Sequence, residues 1–143
     1  MSLRVELYMM MLAGFAGGLV GTLWAGLVSG PLFARWPALR PEPWQEETAT
    51  RLLTGAAIYG LGGAVSGLLF WLSWGLVAVV AAPWAVVGAT YGALVFAAGG
   101  VPALGALALK GRRQRGAIGV LALEGLVAAV AAGVLCAWVW ERG

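Results

Sequence analysis

The sequence predicts an all-α polytopic membrane protein, a bundle of four transmembrane helices with Gly/Ala-rich packing faces. Of its 143 residues, 62% are hydrophobic and only 10% are charged, whereas a typical soluble domain has roughly 25% charged residues. Four apolar runs follow one another along the chain, and a membrane helix needs about 20 such residues. We therefore expect one transmembrane domain spanning residues 1–143, without a separate soluble domain.

The first predicted span covers residues 7–33 and is uninterrupted until Pro31. A signal peptide is the competing interpretation, because Arg4 precedes an apolar stretch. Signal peptides have an apolar region of about 7 to 15 residues followed by a small-residue cleavage site. This run is longer and lacks a convincing cleavage site, so we expect a membrane helix.

A polar loop at residues 34–51, with three prolines and three glutamates, separates the first two spans. Pro43, followed by Glu46 and Glu47, is typical of a helix start. The 58 residues from Leu52 to Leu109 carry no charge, which suffices for two spans, at 52–80 and 84–109, with Pro83 at the turn.

The third span contains Gly99, Gly100 and Pro102 near its far end, and this combination predicts a kink or a local break. A basic loop follows at 110–116, and the fourth span covers residues 117–140. Together the two long loops hold seven lysines and arginines, against Arg4 and Arg142 on the other side. The positive-inside rule therefore predicts a plasma (inner) membrane protein with both loops cytoplasmic and both termini outside.

The basic cluster of the second loop is typical of a cytoplasmic loop, and a further interpretation is that it recruits anionic lipid headgroups. Nucleic acid is not an expected partner. The cluster consists of Lys110, Arg112, Arg113 and Arg115.

Small residues recur at every fourth position, as in extended GxxxG motifs, and let helix backbones approach closely. Either these rows hold one chain together, or the first helix offers them to another subunit. An alanine row follows in the third span at Ala85, Ala89, Ala93 and Ala97. The glycines with a predicted packing role are Gly14, Gly17, Gly18, Gly21, Gly26, Gly30, Gly63, Gly67, Gly88, Gly92, Gly125 and Gly133.

Glu124 is the one charged residue well inside a predicted span, where an ionised carboxylate is costly unless it is paired or wetted. At a rise of about 1.5 Å per residue, Tyr59 falls at the same depth in the second span. We expect an intramembrane polar site, or alternatively a structural hydrogen bond or a pair with Arg51. The candidate site residues are Glu124, Tyr59, Ser29, Gly99, Gly100, Pro102 and Arg51.

The chain has no histidine and no aspartate, and Cys136 is its single cysteine. Histidine-ligated haem, histidine-containing zinc sites and the serine-histidine-aspartate triad are therefore excluded. We expect no cofactor, no metal and no enzymatic activity. The leading expectation is a non-catalytic subunit or oligomer that scaffolds, assembles or stabilises a membrane complex, and the alternative is a small channel or a proton- or cation-coupled transporter using Glu124.

Overall fold

A computed structural model of the chain describes residues 3–39, 48–77, 83–109 and 112–142, and within these ranges the ordered elements are helical. Four helices are long and apolar enough to cross a membrane: Arg4–Arg35, Ala49–Ser73, Trp84–Ala108 and Ala117–Arg142. We refer to them as the first to fourth apolar helices. The expected all-helical fold with four such helices is confirmed.

Six α-helical segments make up these four helices. The first apolar helix contains α1 (Leu3–Trp24) and α2 (Gly30–Arg35), and the second is α3 (Thr48–Val77). The third contains α4 (Trp84–Val95) and α5 (Val101–Ala108), and the fourth is α6 (Arg112–Arg142). A single 3-10 turn, Pro37–Leu39, follows α2.

The first and third apolar helices each contain a π-helical turn just before a proline. The turns are Ala25–Ser29 and Phe96–Gly100, and Pro31 and Pro102 lie in the first turn of the α-helix that follows each of them. Proline lacks an N–H and its ring clashes with the carbonyl four residues earlier. A π-turn widens the helix by one residue per turn, which accommodates the proline without ending the helix.

The third apolar helix therefore has no break near Gly99, Gly100 and Pro102, and the irregularity found there is the π-turn. Gly100 and Val101 both have right-handed helical φ and ψ angles, and the Val101 N–H donates to the Phe96 carbonyl. Two further boundaries differ from expectation. Helix α3 begins at Thr48 and α6 at Arg112, inside the loops that the sequence predicts at residues 34–51 and 110–116. The expected helix start at Pro43 lies outside the described residues.

The first and second apolar helices run antiparallel at very short backbone distance. A Cβ added at Gly14 would lie 2.9 Å from the carbonyl carbon of Gly63, and one added at Gly18 would lie 2.8 Å from that of Tyr59. Gly67 continues the same register against Met10, at 2.8 Å from its carbonyl carbon. Any side chain larger than hydrogen at these glycines would have to separate the two helices.

A second row of small residues on the first helix, which includes Gly17 and Gly21, packs on the fourth helix, again antiparallel. A Cβ at Gly17 would lie 2.6 Å from the Ala132 nitrogen, and one at Gly21 would lie 2.5 Å from the Ala128 Cβ. Both small-residue rows of the first helix thus contact other helices of the same chain, one row for each partner.

The third apolar helix is peripheral. It packs on the fourth helix through Gly88 and Gly92, where added Cβ atoms would lie 2.6 Å from the Cα atoms of Val134 and Val130. In the described ranges it makes few contacts with the second helix and none with the first. Only 6% of the residues in its most apolar stretch are buried, whereas 33% are buried in the corresponding stretch of the fourth helix.

Buried side chains form a cluster at the end of the bundle at which α1 begins and α6 finishes. Phe70 of α3 is fully buried, with its ring edge-on to Tyr91 at a centroid distance of 5.0 Å. The Tyr91 hydroxyl donates to the Ser66 carbonyl at 2.8 Å, which ties the third helix to the second. Cys136 is a free, buried thiol whose sulfur lies 3.6 Å from the Met10 carbonyl oxygen.

Candidate functional site

The centre of the candidate site is a hydrogen bond between the second and fourth apolar helices. The Tyr59 hydroxyl of α3 donates to the Glu124 Oε1 of α6 at 2.5 Å. Glu124 is buried, with 7% of its surface exposed, and it lies within an apolar stretch of α6. The structure thus brings together Tyr59 and Glu124, the two residues whose positions along their helices predict the same depth.

Glycine in the first helix makes room for the Tyr59 ring. A Cβ at Gly21 would lie 3.3 Å from the ring carbon Cγ. The first and fourth helices pair Gly17 with Ala132 and Gly21 with Ala128. This antiparallel register, continued by one turn, places Ala25 opposite Glu124. The π-turn of the first helix, which contacts α6, therefore begins at the level of the carboxylate.

Phe96 of the third helix lies at the depth of Glu124, because its ring is close to Gly125. Its ring lies 3.1 Å from a Cβ added at Gly125 and 2.6 Å from one added at Gly100. The second π-turn begins at Phe96, so both π-turns lie beside the segment that carries Glu124. Sequence reasoning missed Phe96, because an aromatic residue in an apolar run gives no signal of its own.

Three buried polar side-chain atoms of the first helix have no hydrogen-bond partner within the described part of the chain: Thr22 Oγ1, Trp24 Nε1 and Ser29 Oγ. Ser29, a predicted site residue, is 2% exposed and ends the π-turn. Thr22 faces the first turns of α3, with its Oγ1 3.9 Å from a Cβ added at Gly55. A buried hydroxyl without a protein partner can donate to or accept from water or a bound ion.

The remaining predicted site residues are Gly99, Gly100 and Pro102 of the third helix and Arg51 of the second. Gly99 and Pro102 are exposed, and a Cβ at Gly99 would have no neighbour within 4 Å. Gly100 contacts the Phe96 ring instead. Arg51 lies eight residues before Tyr59, about 12 Å along α3, and is half-buried. The basic residues at 112, 113 and 115 lie in the first turns of α6, and Lys110 is outside the described residues.

The Tyr59–Glu124 pair supports proton transfer or hydrogen bonding more readily than covalent chemistry. A tyrosine hydroxyl donates one hydrogen bond, and a carboxyl group accepts through either oxygen. The described residues contain no group of three metal-binding side chains. Comparison with models of protein families, with characterised proteins and with solved structures finds no match.

Proposed function

We propose that this chain is an integral membrane protein that acts as a non-catalytic subunit or oligomer and scaffolds, assembles or stabilises a membrane complex. Membrane insertion of all four apolar helices, in the plasma membrane with both termini outside, is part of the proposal. Its support is the hydropathy of the helices and the excess of basic residues between the first and second, and the third and fourth, helices.

One observation carries the proposal: a row of alanines on the third helix is largely exposed in the described part of the chain. Ala85, Ala93 and Ala97 are exposed, and Ala89 is half-buried. Small residues make few van der Waals contacts with lipid tails, whereas a neighbouring helix can approach small residues closely and pack against them. The small-residue rows of the first helix already contact the second and fourth helices, whereas the alanine row is available to another subunit.

Glycine packing within the chain is the second part of the proposal. We infer that Gly14, Gly18 and Gly63 hold the first two helices together in the bilayer, and that Gly88 and Gly133 do so for the last two. Short backbone distances at these positions support it. The basic cluster at residues 110–115 would then lie at the cytoplasmic face and attract anionic lipid headgroups.

The experiment is the particle mass of the chain extracted from its native membrane in mild detergent. We expect an assembly larger than the 14.7 kDa chain, and we expect Ala93→Ile to reduce that mass because the added side chain separates the helices. Ala57→Ile is the matched control, since Ala57 is an exposed alanine of the second helix. A monomeric wild type, or equal particle masses for both variants, would contradict the assembly role.

A small channel or a proton- or cation-coupled transporter is the second candidate, favoured by the buried Glu124 carboxyl and the unpartnered hydroxyls of Ser29 and Thr22. Buried carboxylates in membrane helices are common in ion and proton pathways. A flux in proteoliposomes under a proton or cation gradient, lost in Glu124→Gln, would favour this candidate. A flux that the variant carries equally well would remove Glu124 from the mechanism.

A further inference from the structure

A groove lies between the ends of the first and fourth apolar helices, on the side of both chain termini and away from Glu124. Its volume is about 480 Å³, within the range of roughly 300–1,000 Å³ that is usual for ligand pockets. The first turns of α1 form one wall and the last turns of α6 the other. Its lining includes Glu6, Met9, Met10, Trp138, Trp140 and Arg142.

The groove contains one charge of each sign. Glu6 is half-buried in the first turn of α1, and Arg142 is exposed in the last turn of α6. A helix dipole is positive at its N-terminus and negative at its C-terminus. Each charge is therefore stabilised by its own helix end, and both line the groove, where they can interact with a ligand.

The remaining walls are apolar and aromatic, which matches the boundary between a bilayer and water. Met10 is 2% exposed at the bottom of the groove, whereas Met9 is 45% exposed at its edge. Trp138 and Trp140 belong to the end of an apolar helix, where tryptophan rings prefer the depth of lipid headgroups. A ligand in this groove would have a charged portion at the helix ends and an apolar portion along the helices.

We propose that this groove binds a zwitterionic phospholipid with a primary ammonium headgroup, its phosphate at Arg142 and its ammonium at Glu6. Guanidinium groups form strong hydrogen bonds with phosphate. The ammonium can donate hydrogen bonds to a carboxylate, which a quaternary ammonium cannot do. An aromatic cage for a quaternary ammonium is not formed, because the Arg142 guanidinium already lies over the Trp138 ring at 4.3 Å.

This inference rests on membrane insertion but not on assembly or on Glu124. Its test is native mass spectrometry of the full purified chain in detergent, titrated with phosphatidylethanolamine, phosphatidylcholine and phosphatidylglycerol of identical acyl chains. We expect one tightly retained phosphatidylethanolamine and weaker binding of the other two. Arg142→Gln and Glu6→Gln should each weaken phosphatidylethanolamine binding about tenfold, through loss of one charge-assisted hydrogen bond.

The chain offers a matched control for each variant. Arg4→Gln and Glu141→Gln remove the same charges from exposed positions at the same end of the bundle, and both should leave the affinity unchanged. Met9→Trp, which fills the groove without changing its charge, should also weaken binding, and thermal denaturation establishes that each variant is folded. Equal affinity for all three lipids, a preference for phosphatidylglycerol, or equal losses in the control variants would overturn the proposal.

Discussion

Glu124 and Tyr59 show how one polar contact can be accommodated between apolar helices. An acidic side chain at the centre of a membrane helix costs about 3 kcal/mol on insertion scales, and a hydrogen bond offsets part of that cost. The Tyr59 hydroxyl supplies the donor at 2.5 Å, and Gly21 leaves the space that its ring needs. This hydrogen bond is compatible with a structural role, in which it holds two helices together, and with a transport role, in which Glu124 binds a proton or a cation.

At this scale we predict that Tyr59→Phe lowers the free energy of unfolding by about 1 kcal/mol, the usual range for a hydrogen bond between membrane helices. The substitution removes one oxygen and leaves the buried Glu124 without this donor. Tyr8→Phe is the control, because Tyr8 is 68% exposed. Reversible denaturation in mixed detergent measures both, and equal stabilities would show that the Tyr59 hydrogen bond does not hold the helices together.

The helices themselves are shaped by glycine and proline. Each proline of the first and third apolar helices follows a π-turn, so the missing backbone donor is accommodated by an expanded turn instead of a break. The glycines allow the backbones of the second and fourth helices to contact two separate faces of the first. In the third helix the glycines and the proline located the irregularity but did not determine its form, whereas the π-turn of the first helix was not predicted from the sequence.

Gly17→Leu tests the contact between the first and fourth helices. A side chain at Gly17 would lie 2.7 Å from the Ala131 carbonyl oxygen, and overpacking of this kind costs about 1–3 kcal/mol. Gly62→Leu is the control, because Gly62 lies in the second helix with no atom within 4 Å of its added Cβ. Thermal denaturation and particle size in detergent measure the effect. We expect a loss for Gly17→Leu alone, and an unchanged melting temperature would refute the close contact.

The whole molecule is asymmetric, since the first and fourth helices occupy the centre and the third is attached along one side. This arrangement leaves the apolar surface of the third helix to lipid or to a partner. It also places the Glu6 and Arg142 groove and the Glu124 contact at different depths of the first and fourth helices. Loss of one site can therefore be measured without loss of the other.

At the scale of the whole molecule we predict that the segments between the first and second helices and before α6 are cytoplasmic. A cysteine at position 113, introduced as Arg113→Cys with Cys136→Ala, should resist a membrane-impermeant thiol reagent in intact cells. A cysteine placed at Gly143 should react with the same reagent. Labelling of position 113 together with protection of position 143 would reverse the orientation.

By itself the sequence determined the number of apolar helices, the position of the irregular turn in the third helix and the matching levels of Tyr59 and Glu124. Composition, helical rise and four-residue periodicity are local properties of the sequence, so these features can be predicted without knowledge of the tertiary structure. Only the tertiary structure decided which helix each small-residue row contacts, that Gly99 and Pro102 are exposed, and that the third helix is peripheral. Those features depend on the rotation of each helix about its axis and on its neighbours, which follow from close packing between segments far apart in sequence.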